Sequence, residues 1–128
     1  MINVLIMHSS NRIYLKLREV IDSDKVNLVY APTPENAIDT FYTSKKSFDL
    51  IIFDVISTSK PDCFPGITAA SVIHNDYPSI HLVFLYDKDE MIDVNKIASK
   101  EGIRTHELIF YNDHTITNLN TRIQSFNK

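Results

Sequence analysis

A three-layer α/β/α domain built on a five-stranded parallel sheet is what this sequence predicts, and three observations carry the prediction. Phe48-Asp49-Leu50-Ile51-Ile52-Phe53-Asp54-Val55 contains four consecutive large apolar residues, apolar at every position rather than at alternate ones. Such a run reads as a strand buried on both faces, the condition of a parallel sheet covered by helices. Short apolar segments alternate with segments of helical spacing along the whole chain, which is the signature of repeated strand–helix units. The length, 128 residues, suits one domain with a real core and leaves no room for two.

Taken in order, the strands are expected at Ile2–Met7, Val26–Tyr30, Leu50–Asp54, His81–Tyr86 and Leu108–Tyr111. After the first, Ile13, Leu17, Val20 and Ile21 fall on one face of a helix that Ser10 is placed to cap. Thr33-Pro34-Glu35 reads as a cap, a first-turn proline and a first-turn acid, with Ala37, Ile38 and Phe41 on the buried side. Gly66 precedes a third stripe of Ile67, Ala70 and Ile73, which Pro78 ends. Met91, Val94, Ile97 and Ala98 form a fourth, closed by Lys100 and Gly102. Ile116, Leu119, Ile123 and Phe126 form a fifth, with Thr115 as its cap. Five strand–helix units with right-handed crossovers suit the doubly wound order 2-1-3-4-5, whose switch point lies between strands 1 and 3. His8 and Asp54, ending those strands, are expected to face one crevice.

Composition excludes several function classes. A hydrophobic content of 44% and a charged content of 23% are those of an ordinary globular protein. The formal net charge of −3 gives no basic face for direct nucleic-acid binding. No apolar run reaches transmembrane length, and Met1-Ile2-Asn3-Val4 lacks the basic start of a signal peptide. The single cysteine, Cys63, fits a reducing cytoplasm, and with no basic neighbour closer than Lys60 it reads as an inert thiol. Two glycines, Gly66 and Gly102, rule out a Walker loop and a dinucleotide fingerprint.

The pattern over essentially the whole chain resembles the receiver domain of response regulators, the CheY-like domains of bacterial two-component signal transduction. The matching residues are Val4-Leu5-Ile6-Met7, Ala37-Ile38, Phe48 to Asp54, Gly66 and Gly102. The resemblance implies the flavodoxin-like fold, Asp54 as the phospho-acceptor position, and docking of partners or twin subunits on the face formed by strand 4, helix 4, strand 5 and helix 5. It also marks departures. Receivers carry a magnesium-holding acidic pair after strand 1, where this chain has His8 and Ser9; a small hydroxylated residue ending strand 4, here Tyr86; and a lysine ending strand 5, here Tyr111. The strand 3 loop, Val55–Gly66, is longer and carries Pro61 and Pro65.

Phosphoryl transfer to a carboxylate needs positive charge against the equatorial oxygens of the transition state. Magnesium prefers hard oxygen ligands, which a histidine and a serine do not replace. The expectation is therefore a degenerate pocket, a pseudo-receiver that is not an enzyme and uses no cofactor, magnesium entering only if the divergent pocket is still active. It would act by protein–protein interaction as a single domain over residues 1–128, with no nucleic acid or membrane partner. Ending at Asn127-Lys128 just after the last helix, the chain reads as a domain excised from before an output domain.

Alternatives stay open beside it. An active receiver would be phosphorylated at Asp54. A flavodoxin-like module would hold a flavin phosphate at Ser9-Ser10-Asn11, although that loop has no glycine and Ser10 has a second explanation as a cap. His8 with Asp54 is either a loop histidine beside an acid or two-thirds of a metal site. Asp87 and Asp89 either cap helix 4 or lend a carboxylate to the crevice. Asp54-Val55-Ile56 lacks the second acid of a dehalogenase-type phosphatase motif. Tyr86 and Tyr111 are either interface anchors or fillers of the space an acidic pocket would leave.

Overall fold

The computed structural model describes residues 1–44, 47–55, 64–86 and 91–126, with the backbone alone for 91–93. Ten elements alternate: β1 (Ile2–Met7), α1 (Arg12–Val20), β2 (Val26–Ala31), α2 (Pro34–Thr43), β3 (Leu50–Asp54), α3 (Pro65–Asp76), β4 (His81–Tyr86), α4 (Met91–Lys100), β5 (Glu107–Phe110) and α5 (Thr115–Gln124). The strands form one parallel sheet in the order β2-β1-β3-β4-β5. This is the doubly wound receiver-type topology expected from the sequence, with β1, β3 and β4 at their expected bounds.

Successive residues of a strand point to opposite faces, and the core divides accordingly. Leu5, Met7, Ile51, Phe53, Leu82 and Phe84 pack under α2, α3 and α4. Val4, Ile6, Leu50, Ile52, Val83 and Leu85 pack under α1 and α5. All twelve are fully or almost fully buried, which is why β1, β3 and β4 read as unbroken apolar runs. At the entrance of β3 the Asp49 N–H donates to Asn3 O, and the Asn3 N–H donates to the Asp49 carboxylate, both at 2.8 Å, which fixes the register of β3 against β1.

Several local expectations shift. Thr33 caps α2, its hydroxyl accepting from the Asn36 N–H, but the other two expected caps fall elsewhere. Asn11 stands at the start of α1 with no side-chain cap, and Ser10, one residue earlier, accepts only from the Arg12 N–H at 3.3 Å. Thr115 is the first helical residue of α5; its hydroxyl accepts from Asn112 N–H and contacts the carbonyls before it, tying down the loop from β5. Val20 is about half exposed because Tyr14, stacked on Tyr30, turns the buried face of α1 toward Tyr14, Leu17 and Ile21. β5 ends one residue earlier than expected, although the Tyr111 N–H still bonds Tyr86 O beyond it. Gly102 closes α4 at φ 84°, a left-handed stop that favours glycine.

Two histidines, His74 buried and His106 partly buried, sit where α3 meets α4 and the approach to β5. His74 accepts from the Arg104 N–H through Nε2, and His106 Nε2 meets Asn95 Oδ1 at 3.0 Å. The remaining ring nitrogens, Nδ1 of each, are buried with no hydrogen bond. These contacts fit a neutral Nδ1–H tautomer for His74 and a neutral Nε2–H tautomer for His106. Burial, reinforced by Arg104, lowers the pKa of His74; burial, reinforced by His74, lowers that of His106. The unfolded chain therefore takes up more protons as pH falls, so this contribution to stability is full above about pH 6.5 and is lost below it. The urea midpoint is expected to fall between pH 7.5 and 5.5, with a smaller fall in His106→Gln. An equal fall in wild type and variant would show that His106 has no part in it.

Candidate functional site

Two strand ends and the start of a helix build the crevice. β1 and β3 are neighbours on either side of the switch point, so the residues at their carboxyl ends converge there. His8 Nε2 lies 3.8 Å from Asp54 Oδ2, each side chain about 15% exposed. The α3 start closes the other side so tightly that a Cβ on Gly66 would lie 1.9 Å from Asp54 O. This close approach, at an ordinary φ, is what requires glycine there.

His8 is held from three directions. Its Nδ1 accepts from the Ser10 N–H at 2.9 Å, its Nε2 is hydrogen-bonded to Tyr111 Oη at 2.5 Å, and its carbonyl accepts from Tyr30 O–H at 2.8 Å. Because a backbone amide donates to Nδ1, the neutral tautomer that fits carries its proton on Nε2. Tyr111 follows β5, three strand positions from β1, a gap of roughly 14 Å at the ~4.8 Å strand spacing of sheets. One tyrosine and one histidine reaching toward each other span it. The two rings meet edge-on, their centroids 5.9 Å apart.

The structure thus brings His8, Asp54 and Tyr111 together and leaves the other two candidates outside the cluster. Ser9 is exposed. Tyr86 is 9% exposed and packs with Phe110, centroids 5.6 Å apart, among the residues under α2, α3 and α4. Its ring fills the end of β4 rather than standing on the surface as an anchor. Tyr111 is half-buried and packs against the opposite core face. Asp87, Asp89, Pro61, Lys60 and Cys63 lie outside the described residues.

The donor set does not fit magnesium. An imidazole already hydrogen-bonded at both nitrogens and an exposed serine stand where hard carboxylate oxygens are needed. Among the described residues no group of three histidine, cysteine, aspartate or glutamate side chains is placed to hold a metal. The β1–α1 loop also makes a poor phosphate cradle, since its Ser10 and Arg12 amides donate to His8 and Ser10. Among the described residues no helix is long and apolar enough to cross a membrane.

Tyr30 is the residue that sequence reasoning missed. It was legible only as part of a strand, yet its hydroxyl pins the His8 carbonyl while its ring stacks on Tyr14. The order of strands was the available signal, since β2 flanks β1 and its last residues lie beside His8.

No protein-family model matches the chain, and no curated protein matches it in sequence. Solved structures do match in shape. A response-regulator receiver domain protein from Clostridium thermocellum superposes with a TM-score of 0.72 at 17% identity, covering 98% of this chain and 93% of that one. The receiver domain of a Francisella response regulator gives 0.70 at 14% identity, with coverage of 98% and 95%. CheY in the CheX–CheY–BeF3–Mg2+ complex from Borrelia burgdorferi gives 0.68 at 19%, with coverage of 98% and 88%. Over almost its whole length, the chain has the fold of a response-regulator receiver domain.

Proposed function

We propose that the chain is a signalling module of the two-component type that works by protein contact and not by phosphoryl transfer to Asp54. One observation carries this reading: the positions of the acidic pair and the lysine are taken by His8 and Tyr111, hydrogen-bonded to each other beside the Asp54 carboxylate. An imidazole and a phenol at those positions do not supply what a magnesium-holding acidic pair and a lysine give a phosphoryl transition state. The imidazole and the phenol occupy the space instead.

Such a pseudo-receiver is not an enzyme and needs no cofactor. It presents a surface of fixed shape, in the cytoplasm, to a partner protein or a second copy through the β4–α4–β5–α5 face. Tyr111 stands at the upper edge of that face and Tyr86 supports it from beneath. That proteins of this fold take protein partners is illustrated by the complex of CheX with CheY.

Incubation with phosphoramidate and magnesium, followed by intact mass, is expected to leave the mass unchanged in both wild type and Asp54→Ala. Gain of one phosphoryl group by the wild type, absent from the variant, would restore a phosphorelay receiver and overturn the proposal.

A further inference from the structure

α2 and α3 pack side by side over the Phe53–Phe84 face of the sheet, and a seam runs between them on the outside. Two concavities lie along it. One, of about 290 Å³, is lined by Pro34, Glu35 and Ile38 of α2 and by Pro65, Thr68 and Val72 of α3. The other, of about 330 Å³, lies at the far end and is walled by Phe41, Tyr42, Phe48 and Tyr77. Of the six large apolar residues that are clearly exposed among the described residues, three stand here: Tyr42 (43%), Val72 (43%) and Tyr77 (48%). Tyr42 is not loose; its hydroxyl donates to Asp76 Oδ2 across the seam, and this hydrogen bond to a carboxylate pushes its pKa up to about 12. The apolar floor is therefore held in place.

Charge decides what would cover it. α2 and α3 contain Glu35, Asp39 and Asp76 and no lysine or arginine, and their one histidine, His74, is buried. Neither helix carries a lysine or arginine to offset those three acids, so the pair presents a charge of −3 alongside the seam. Glu35 and Asp39 are one turn apart and so share a face of α2. Lys45 and Lys46, which follow α2, lie outside the described residues. The ten residues of α2 span ~15 Å, enough for two apolar anchors two turns apart on a helix laid along the seam.

We infer that the α2–α3 seam is a docking groove for a basic amphipathic helix of a partner protein, with apolar side chains in the two concavities and lysines or arginines over Glu35, Asp39 and Asp76. This is helix-in-groove recognition, in which pockets supply affinity and rim charge supplies orientation and on-rate. It stands independently of the state of Asp54 and uses a different face from β4–α4–β5–α5.

The test uses a synthetic leucine–lysine amphipathic helix of about 15 residues, with a leucine–glutamate helix of the same pattern as control. Amide NMR shifts on titration into the 15N-labelled chain are expected to map to α2 and α3, with no shifts from the glutamate helix. Asp39→Lys is expected to weaken binding several-fold, Glu35→Lys/Asp39→Lys at least tenfold, and Val72→Glu to abolish it, each variant keeping a dispersed spectrum. Absence of binding, shifts centred on another face, or equal affinity for the charge-reversed variants would overturn the inference. So would concentration-dependent broadening of α2–α3 amides without peptide, which would place a second copy of this chain on the seam.

Discussion

Gly66→Ala is expected to destabilise the fold by about 3 kcal/mol, at the upper end of what overpacking costs. The added methyl would lie 1.9 Å from Asp54 O, 2.9 Å from Asp54 C and 3.1 Å from Val55 Cα. All three atoms are backbone, so no side chain can swing away to make room. Relief requires α3 to move off the end of β3, yet Ile67, Ala70 and Ile73 anchor that helix in the core with no exposure. Helix propensity works in the opposite direction, since alanine is favoured over glycine inside a helix by about 1 kcal/mol. The sign of the measured change therefore discriminates: a variant as stable as wild type in urea would show that α3 does not press on Asp54.

Phe84→Ala is expected to cost about 3–5 kcal/mol, the range for removing a buried phenylalanine ring. Phe84 is fully buried in β4 and stands between two rings, Phe53 with centroids 6.4 Å apart and His106 with centroids 5.5 Å apart. The hole would open beneath α3 and α4 and beside His106. Loss of that packing would admit water to the histidine pair, so the fall in stability below pH 6.5 should be shallower in the variant than in wild type. Chemical denaturation at pH 7.5 and 5.5 measures both effects. A loss below 1 kcal/mol would mean that the core collapses around the vacancy.

How much of this was legible in the chain depended on whether a signal was local. β1, β3 and β4 are buried on both faces, so Val4-Leu5-Ile6-Met7, Leu50-Ile51-Ile52-Phe53 and Leu82-Val83-Phe84-Leu85 advertise themselves with no polar residue to confuse the period. The end of β5 falls one residue earlier than expected because Tyr111 continues the apolar run, and one more bond to Tyr86 O, past the last strand pair at Phe110. Ser10 and Thr115 have the chemistry of caps, but hydroxyls bond whichever backbone group lies nearest: Ser10 meets the first N–H of α1 only at 3.3 Å, and Thr115 turns to Asn112 in the loop before α5. The approach of His8 to Asp54 followed from strand order alone. The Tyr111–His8 bond did not, because it depends on two side chains reaching over two intervening strands, and no spacing in the sequence encodes that. The acid-only composition of α2 and α3 was present in the sequence, but it means something only once the two helices are known to lie side by side.

The Tyr30–His8–Tyr111 chain bears on how the sheet comes apart. An open sheet ordinarily frays from its two edges independently, each outer strand peeling from its single neighbour. Here β2 and β5 are those edges, and a tyrosine within β2 and one just after β5 are hydrogen-bonded to the same histidine residue. Peeling either edge at its carboxyl end disturbs the anchor of the other, so the top of an open sheet acquires some of the mutual restraint of a closed barrel.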